Sequence, residues 1–343
     1  MNNYTPPFTL TTRILDLVER IGEALGRLQM SKEQQIAPHL RRDNRIRTVQ
    51  ASLAIEGNTL SLEQVTAVLA GKRVLGAPRE VQEVRNGFVA YDQLDKWRPG
   101  ELGHLCAAHK VLMSGLLDDP GRLRHGSVGI KRKGEVIHVA PPAEHLPALL
   151  KSLLAWLAAA DVHPLVTSSV FHYELEFIHP FMDGNGRLGR LWQTLILGRW
   201  RSVFFFIPIE TVVHNRQEEY YLALRRSDSE GSSTLFVEFM LSGILAACTE
   251  LSAPEAAPEV TPEVKRLLEV LEGDMNRRAM QSRLGLKAEK NFRLLYLRPA
   301  LHAGLIEMTV PDKPRSPRQC YRLTPIGQAL KKKGKELARD DSV

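Results

Sequence analysis

Apolar residues recur three and four positions apart through most of the first 250 residues, which is the pattern of amphipathic helices. The first stripe lies between Leu15 and Leu28, and a second, with Val49 and Leu53, belongs to a helix expected to begin near Asp43. Further helices are predicted over residues 101–117, 143–159, 167–178, 212–226 and 235–247, with another beginning near residue 187. The predicted fold is therefore mainly α.

Two segments alternate with the period of strands instead. Residues 127–139 predict a hairpin with a polar turn at 131–134, and residues 306–310 are expected to pair with 320–323. Pro254, Pro258 and Pro262, set among Ala and Glu, mark a linker. The predicted domains are a helical N-terminal region over 1–97, a core over 98–251, a linker over 252–262 and a C-terminal domain over 263–343.

Cysteine content and hydropathy bear on the compartment. The 343 residues include three cysteines, Cys106, Cys248 and Cys320, which favours a reducing cytoplasm and buried thiols over disulfides. The first 12 residues lack a signal-peptide pattern, and apolar runs such as 153–160 are too short to span a bilayer. We therefore expect a cytoplasmic protein with no membrane partner.

The positive charge is concentrated in the C-terminal part of the chain. The whole chain carries a formal charge of +7, whereas residues 261–343 alone hold 18 Lys+Arg and 10 Asp+Glu. The first 260 residues are therefore close to neutral, so any affinity for an acidic polymer should belong to the C-terminal domain.

The most informative segment lies between His179 and Arg190 and reads His-Pro-Phe-Met-Asp-Gly-Asn-Gly-Arg-Leu-Gly-Arg. The preceding helix should end at His179, because the following Pro180 disfavours helical geometry in the residue before it. Gly184 and Gly186 permit a sharp turn that directs successive N–H groups toward one point, where a new helix begins. Such a turn at a helix N-terminus is typical of a phosphate site.

The charged side chains of this segment also match a phosphate ligand. Asp183 would repel a bare phosphate, so it implies a bridging divalent cation, Mg²⁺ in the simplest case. Arg187 and Arg190 lie on one helix face within reach of further phosphates, and His179 can accept a proton near neutral pH. A helix-capping loop is the plain alternative, but a cap requires neither the second glycine nor the histidine.

Residues 179–190 resemble the signature of the Fic family, His-x-Phe-x-(Asp/Glu)-Gly-Asn-Gly-Arg-x-x-Arg, at every fixed position. The resemblance implies transfer of AMP from ATP to a Ser, Thr or Tyr hydroxyl of a protein, with release of pyrophosphate. This chemistry fits the residue types, because phosphoryl-type transfer depends on positioning and charge neutralisation.

The resemblance also implies a role for each signature residue. His179 is expected to deprotonate the target hydroxyl, and Asp183 to hold Mg²⁺ between the α- and β-phosphates. The expected phosphate ligands are Asn185 with the amides of Gly184 and Gly186 for the α-phosphate, Arg187 for the β-phosphate and Arg190 for the γ-phosphate.

A second segment, Ser52-Leu53-Ala54-Ile55-Glu56-Gly57, ends the predicted helix near Asp43. Its Ser-to-Glu spacing of four excludes a capping box, which requires three. It resembles the inhibitory motif (Ser/Thr)-x-x-x-Glu-(Gly/Asn) of autoinhibited Fic proteins. That resemblance implies that Glu56 pairs with Arg190 and blocks placement of the γ-phosphate. Without the signature, Glu56 would be interpreted as a solvated residue at a helix end, followed by Gly57 as the C-cap.

The hairpin has the position of the target-binding flap of Fic proteins, which pairs with the main chain of the target and tolerates many side chains. The expected flap residues are Ser127, Val128, Gly129, Ile130, Ile137, His138 and Val139. Family flaps often end in Tyr-x-Pro-Pro, whereas this chain has His138-Val139-Ala140-Pro141-Pro142, so the contacts of His138 stay open.

The C-terminal pattern of helices and one hairpin resembles the winged-helix domain that is often appended to such proteins. Basic residues of its third helix and its wing could neutralise DNA phosphates. The candidate DNA contacts are Lys287, Lys290, Arg293, Arg298, Lys313, Arg315 and Arg318. A surface for dimerisation or target docking is the alternative.

These observations together predict a mainly α protein with a Fic-type helical core, a β-hairpin flap, a helical N-terminal region and a C-terminal winged-helix domain. The expected function is an autoinhibited protein adenylyltransferase that uses ATP and Mg²⁺ and modifies a protein target and itself. Two alternatives are removal of AMP by water oriented by Glu56, and a DNA-binding regulator with a nucleotide-sensing core, although a sensor requires no base at His179. Transfer of another phosphate-containing group and a homodimeric state also stay open.

Overall fold

The computed structural model describes residues 4–31, 38–132, 135–252, 261–286, 288–310 and 316–340. The chain divides into two compact units, Met1–Ala253 and Pro254–Val343. Helices predominate in both units, which confirms the predicted mainly α fold class. Most of the expected linker lies outside the described residues.

The helices of the first unit are α1 (Thr12–Ser31), α2 (Pro38–Ile55), α3 (Leu62–Leu69), α4 (Pro78–Asp92), α5 (Leu102–Leu112), α6 (Leu146–Ala159), α7 (Pro164–Ile178), α8 (Asn185–Trp200), α9 (Ile209–Asn215), α10 (Gln217–Glu230) and α11 (Thr234–Ser252). Between α5 and α6, strands β1 (Gly129–Arg132) and β2 (Glu135–Val139) pair antiparallel, with Gly129 opposite Val139. The register shifts between Ile130 and Lys131.

Several helix boundaries differ from the sequence prediction. Helix α2 begins at Pro38, before the expected Asp43, and α8 begins at Asn185. The predicted helix over 212–226 is two helices, because the backbone of Arg216 leaves helical geometry (φ −116°, ψ 33°). The guanidinium of Arg216 contacts Glu219 and Ser242. The predicted helix over 101–117 ends at Leu112.

Helices α7 and α8 form the centre of the first unit. Nearly every residue of both helices is buried, which is the property of a core helix covered on all sides. One apolar cluster packs α8 against α2, α4, α5 and α6, and a second packs α7 against α1, α9, α10 and α11. The loop that joins α7 to α8 is therefore supported from both sides.

Helix α11 is long and apolar enough over Thr234–Leu251 to cross a membrane by length and composition alone, so the expectation that apolar runs are too short was wrong for this segment. Half of that window is buried within the protein. Phe236, Val237, Met240 and Leu241 belong to the second apolar cluster, as expected of a core helix.

The second unit contains α12 (Pro262–Val270), α13 (Arg277–Arg283), α14 (Glu289–Asn291), α15 (Arg298–His302), β3 (Ile306–Met308), β4 (Tyr321–Leu323) and α16 (Pro325–Asp340). The predicted third helix is irregular, since residues Phe292–Leu297 between α14 and α15 are π-helical. Strands β3 and β4 pair antiparallel and are shorter than predicted. The unit has its own apolar core, with Phe292, Ala300 and Tyr321 fully or almost fully buried.

Candidate active site

His179 lies at the C-terminus of α7 in the left-handed conformation, with φ 48° and ψ 61°. Within the described ranges it has the single positive φ outside glycine. Its N–H still bonds to the Leu175 carbonyl at 2.9 Å, while Pro180 prevents the helix from continuing. The ring Nδ1 lies 3.4 Å from the Glu176 carbonyl oxygen. A proton held on Nδ1 leaves Nε2 as the proton acceptor.

Asn185, the first residue of α8, closes the loop between the two helices. Its Oδ1 accepts from the Phe181 N–H at 3.0 Å, and its Nδ2 donates to the Phe181 carbonyl at 2.8 Å. The side chain is almost fully buried. Both ends of the Asn185 amide thus hold the loop in shape, and the expected contact of Asn185 with the α-phosphate stays a prediction.

His109 of α5 also supports this loop, through Asp183 and Phe181. The Gly121 N–H donates to Nδ1 at 2.8 Å, which leaves the proton on Nε2, and Nε2 donates to the Asp183 carbonyl at 2.9 Å. The ring stacks on Phe181 with centroids 3.8 Å apart. Burial lowers the pKa of His109, which favours this neutral form.

Two positions of the turn leave little room for a side chain in this arrangement. Gly184 has φ +86°, and a methyl group there would lie 2.6 Å from the Met113 sulfur. A methyl group at Gly186 would overlap the Glu56 carboxylate. The carboxylate of Glu56 therefore occupies the space directly beside the first turn of α8, where the helix dipole favours an anion.

Glu56 and Arg190 form a close ion pair. Arg190 Nη2 lies 2.7 Å from Glu56 Oε1, and the same guanidinium donates to the Ser52 hydroxyl at 3.1 Å and carbonyl at 2.9 Å. Burial by itself disfavours the charged guanidinium, yet the pKa of Arg190 is raised because Glu56 and other acidic or phenolic groups nearby outweigh it. Arg190 Nη1 is buried and has no hydrogen-bond partner among the described residues.

Arg187 and Asp183 belong to a second ion-pair network. Arg187 Nη2 lies 2.9 Å from Asp183 Oδ1, and Nη1 lies 3.1 Å from Glu83 on α4. Arg79, also on α4, reaches the other Asp183 oxygen at 3.0 Å. Asn58, just after Glu56 and Gly57, donates to Glu83 at 2.8 Å and so joins this network to the segment that carries Glu56.

The donor set can accommodate Mg²⁺ only together with a nucleotide. Asp183 is half exposed and supplies one carboxylate. The described residues contain no group of three or more His, Cys, Asp or Glu side chains that could hold a metal ion. Because Mg²⁺ commonly binds through one or two carboxylates with phosphates and water, a single carboxylate is sufficient for a phosphate-bridging ion.

The sequence did not single out four residues that hold the site. His109 was detectable as a polar residue on the helix face that Leu105 and Leu112 form, but Arg79, Glu83 and Arg124 had no local signal. Arg124 is almost fully buried and its Nε donates to the His179 carbonyl at 2.7 Å. Each becomes recognisable only through contacts between segments distant in sequence.

The structure describes part of the flap and some of the basic residues of the second unit. Ser127 and Val139 are exposed and Val128 is half-buried, while the burial of Gly129 and the side chains of Ile130, Ile137 and His138 lie outside what the structure describes. Of the candidate DNA contacts, Arg293, Arg298 and Arg318 are exposed. Lys287, Lys313 and Arg315, and the side chain of Lys290, lie outside the described part of the chain.

Comparison with known proteins identifies the family. Residues 99–197 match the model described as Fic/DOC family, and residues 262–324 match the Filamentation induced by cAMP protein Fic-like, C-terminal domain. A solved Fic family protein from Desulfovibrio desulfuricans G20 is 51% identical with a TM-score of 0.73, over 94% of this chain and 99% of that one. The chain therefore belongs to the Fic family, which confirms the resemblance.

More distant relatives carry a named activity. The Caenorhabditis elegans protein adenylyltransferase fic-1 is 32% identical over 190 residues, 51% of this chain and 35% of that protein. The Nematostella vectensis protein adenylyltransferase Fic is 29% identical over 220 residues, 58% of this chain and 45% of that protein. A solved C. elegans Fic-1 segment is 25% identical with a TM-score of 0.57, over 69% of this chain and 72% of that one. The chain thus matches less than half the length of these curated relatives.

Proposed function

We propose that this protein transfers AMP from ATP to a hydroxyl side chain of a protein target, and that Glu56 holds the enzyme in an inhibited state. The observation that carries the proposal is the 2.7 Å ion pair between Glu56 and Arg190, beside a complete Fic signature. The names of the curated relatives support the class of reaction.

The base in this scheme is His179. With Nδ1 facing the Glu176 carbonyl, Nε2 takes the proton of the target hydroxyl. The hydroxyl oxygen then forms a bond to the α-phosphorus, the bond from that phosphorus to the β-bridging oxygen breaks, and pyrophosphate leaves. The product is the target with AMP attached through a phosphodiester.

The phosphates would lie over the first turn of α8, where Gly184 and Gly186 expose backbone amides at the positive end of the helix dipole. Arg187 and Arg190 would neutralise the β- and γ-phosphates. Asp183 would hold Mg²⁺, which when bound would supply charge neutralisation between phosphates. Binding requires Asp183 and Arg187 to exchange their present partners for the nucleotide and its cation.

Inhibition follows from the two interactions that Glu56 competes for. Its carboxylate lies beside Gly186 and also pairs with Arg190. The negative charge of a γ-phosphate cannot share that space with a carboxylate without repulsion. A nucleotide whose γ-phosphate is displaced would present its α-phosphate badly to His179, so transfer would be slow.

The experiment compares wild type with Glu56→Gly, using α-labelled and γ-labelled ATP in cell lysate and with the protein alone. Glu56→Gly should increase protein labelling from α-labelled ATP by at least about tenfold, equivalent to about 1.4 kcal/mol of inhibition released. With the purified protein alone, label from γ-labelled ATP should stay off protein, because the γ-phosphate leaves in pyrophosphate. Mass spectrometry of the labelled proteins then identifies the acceptor residue.

A matched pair of variants separates the charge effect from a general effect of substitution. Glu56→Gln removes the carboxylate that pairs with Arg190, whereas Glu219→Gln removes one that pairs with Arg216 at the protein surface. Only the first should activate transfer. If Glu56→Gly labels no more protein than wild type, inhibition by Glu56 is excluded. If the variant instead loses the ability to remove AMP from a modified protein, the alternative function, hydrolytic removal of AMP, is favoured.

A further inference from the structure

Arg124 lies in the segment between α5 and β1 and contacts the backbone of the signature loop. Its Nε donates to the His179 carbonyl at 2.7 Å and its Nη2 to the Ile178 carbonyl at 3.2 Å. Its backbone N–H donates to the Pro180 carbonyl at 3.0 Å. Three successive carbonyl groups around the proposed base are thus bound by one residue.

The same guanidinium contacts both ends of the flap. Arg124 Nη1 donates to the Gly126 carbonyl at 2.7 Å, before β1, and Nη2 donates to the Pro141 carbonyl at 2.6 Å, after β2. Between these two points the hairpin is closed by the Ala140 N–H, which donates to the Val128 carbonyl at 3.1 Å. One side chain therefore contacts both the segment that leads from the core into the flap and the segment that leads back to the core.

These contacts explain how the left-handed conformation of His179 is maintained. A residue in this region is stabilised only when its surroundings fix it. The forked guanidinium suits that task, because it donates several hydrogen bonds in fixed directions and keeps its charge when buried. Lysine has no planar fork and could not satisfy all four carbonyls in the same geometry.

We propose that Arg124 is a positioning residue that fixes the base His179 relative to the flap, and so sets the distance between a flap-bound hydroxyl and the base. The proposal rests on the function proposed above. It predicts a specific effect on an acceptor held by the flap. An acceptor that does not use the flap, such as water attacking ATP to give AMP and pyrophosphate, should be much less affected.

The test uses the full-length Glu56→Gly protein with and without Arg124→Lys, and the acceptor protein labelled by the Glu56→Gly enzyme. Arg124→Lys should lower transfer to that acceptor at least about tenfold, since small displacements of reacting groups have large effects on rate. Hydrolysis of ATP to AMP in the same samples should change by less than about twofold, and ATP affinity should be unchanged, because both lack the flap-bound acceptor.

Arg199→Lys is the matched control. Arg199 also donates to two backbone carbonyls, those of Asp95 and Trp97, but it lies at the C-terminal end of α8, whereas the signature loop precedes the N-terminal end. It should leave the ratio of protein transfer to ATP hydrolysis unchanged. If Arg124→Lys does not fold, Arg124→Gln, which keeps one planar pair of donors, takes its place.

Two results overturn the proposal. One is an equal loss of protein transfer and ATP hydrolysis, which would mean that Arg124 only supports the loop. The other is unchanged transfer in a variant that has lost the arginine. If the Glu56→Gly protein without a change at Arg124 labels no acceptor, the failure belongs to the proposed function and not to Arg124.

Discussion

Single side chains hold the signature loop in a conformation that its local sequence does not stabilise. A left-handed residue other than glycine costs about 1 kcal/mol or more, and His179 has that conformation. Asn185 and His109 offset this cost by accepting or donating hydrogen bonds at Phe181 and Asp183. The strain is local to the proposed base, so small changes there should affect rate before they affect folding.

Replacement of the base is the first prediction. His179→Ala should lower AMP transfer by about 100- to 10,000-fold, the usual contribution of a general base. ATP affinity should be retained, because the phosphate ligands are other residues. His179→Asn removes the imidazole but tolerates the left-handed backbone, so it should lose the same activity without added strain. Transfer within a few-fold of wild type in either variant would end this assignment.

A pH dependence of stability is expected from His172 on α7. The ring is fully buried and faces Gln193, Tyr220, Glu176 and Arg190. Burial first, and then Arg190, lowers the pKa of His172 to about 3. The unfolded chain takes up this proton below about pH 6.5, so between pH 6.5 and 3 the unfolded state binds more protons and stability falls as pH falls.

His172→Gln should remove that component, which approaches about 1.4 kcal/mol per pH unit for one group. The measurement is urea unfolding at pH 7 and pH 5, followed by tryptophan fluorescence. Trp97, Trp156, Trp192 and Trp200 are the four tryptophans and all lie in the first unit, so the signal reports that unit. Wild type should lose more stability than the variant on acidification; equal losses would show that His172 is not buried in the neutral form.

At the scale of secondary structure, the proposed inhibition depends on a contact between the C-terminus of α2 and the first turns of α8. Ser52 and Glu56 lie four residues apart, so both face α8 from one side of the helix end. Arg190 donates hydrogen bonds to both side chains. The whole of α2 therefore presents the inhibitory group, and its packing should set the strength of inhibition.

Ser52→Ala tests this contact. Loss of the hydroxyl leaves the buried Arg190 Nε without its acceptor, a cost of about 1–3 kcal/mol to the inhibited state. Transfer should rise above wild type but stay below Glu56→Gly, because the carboxylate is still present. Ser52→Thr keeps a hydroxyl and should remain inhibited. Wild-type activity in Ser52→Ala would show that the hydroxyl does not help to hold Arg190.

At the scale of the molecule, the proposed catalytic groups and the excess positive charge belong to different units. All signature residues, and the residues proposed to inhibit, lie in Met1–Ala253, while the surplus of Lys and Arg lies beyond residue 260. Each unit has its own apolar core. Transfer chemistry and any binding of an acidic polymer should therefore be separable.

We propose duplex DNA as the partner of the second unit and predict affinity that falls steeply with salt. A chain ending at Ala253 should lose that affinity yet keep the tryptophan unfolding transition and, with Glu56→Gly, AMP transfer. Replacing exposed Arg293 with Ala should reduce the salt dependence by about one phosphate contact. If the full-length chain shows no salt-dependent DNA binding, a protein-docking role for this unit is favoured.

The sequence by itself determined the helical class, the family and the residues of the signature. These are local properties: apolar periodicity specifies helices, and the turn from His179 to Gly186 is encoded by one proline and two glycines. The boundaries of α2 and the break at Arg216 were missed, because helix ends depend on packing and capping contacts that periodicity does not report.

Tertiary structure decided what each polar group contacts. Resemblance suggested the pairing of Glu56 with Arg190, but the second network through Glu83 and the contacts of Arg124 join segments about 50 to 100 residues apart. Asn185 shows the same limit, since the pairing of its amide with the Phe181 backbone is visible only in the folded loop. A sequence specifies residue types and their order, whereas the partners of a buried charge or amide are chosen by the packing of helices distant in the chain.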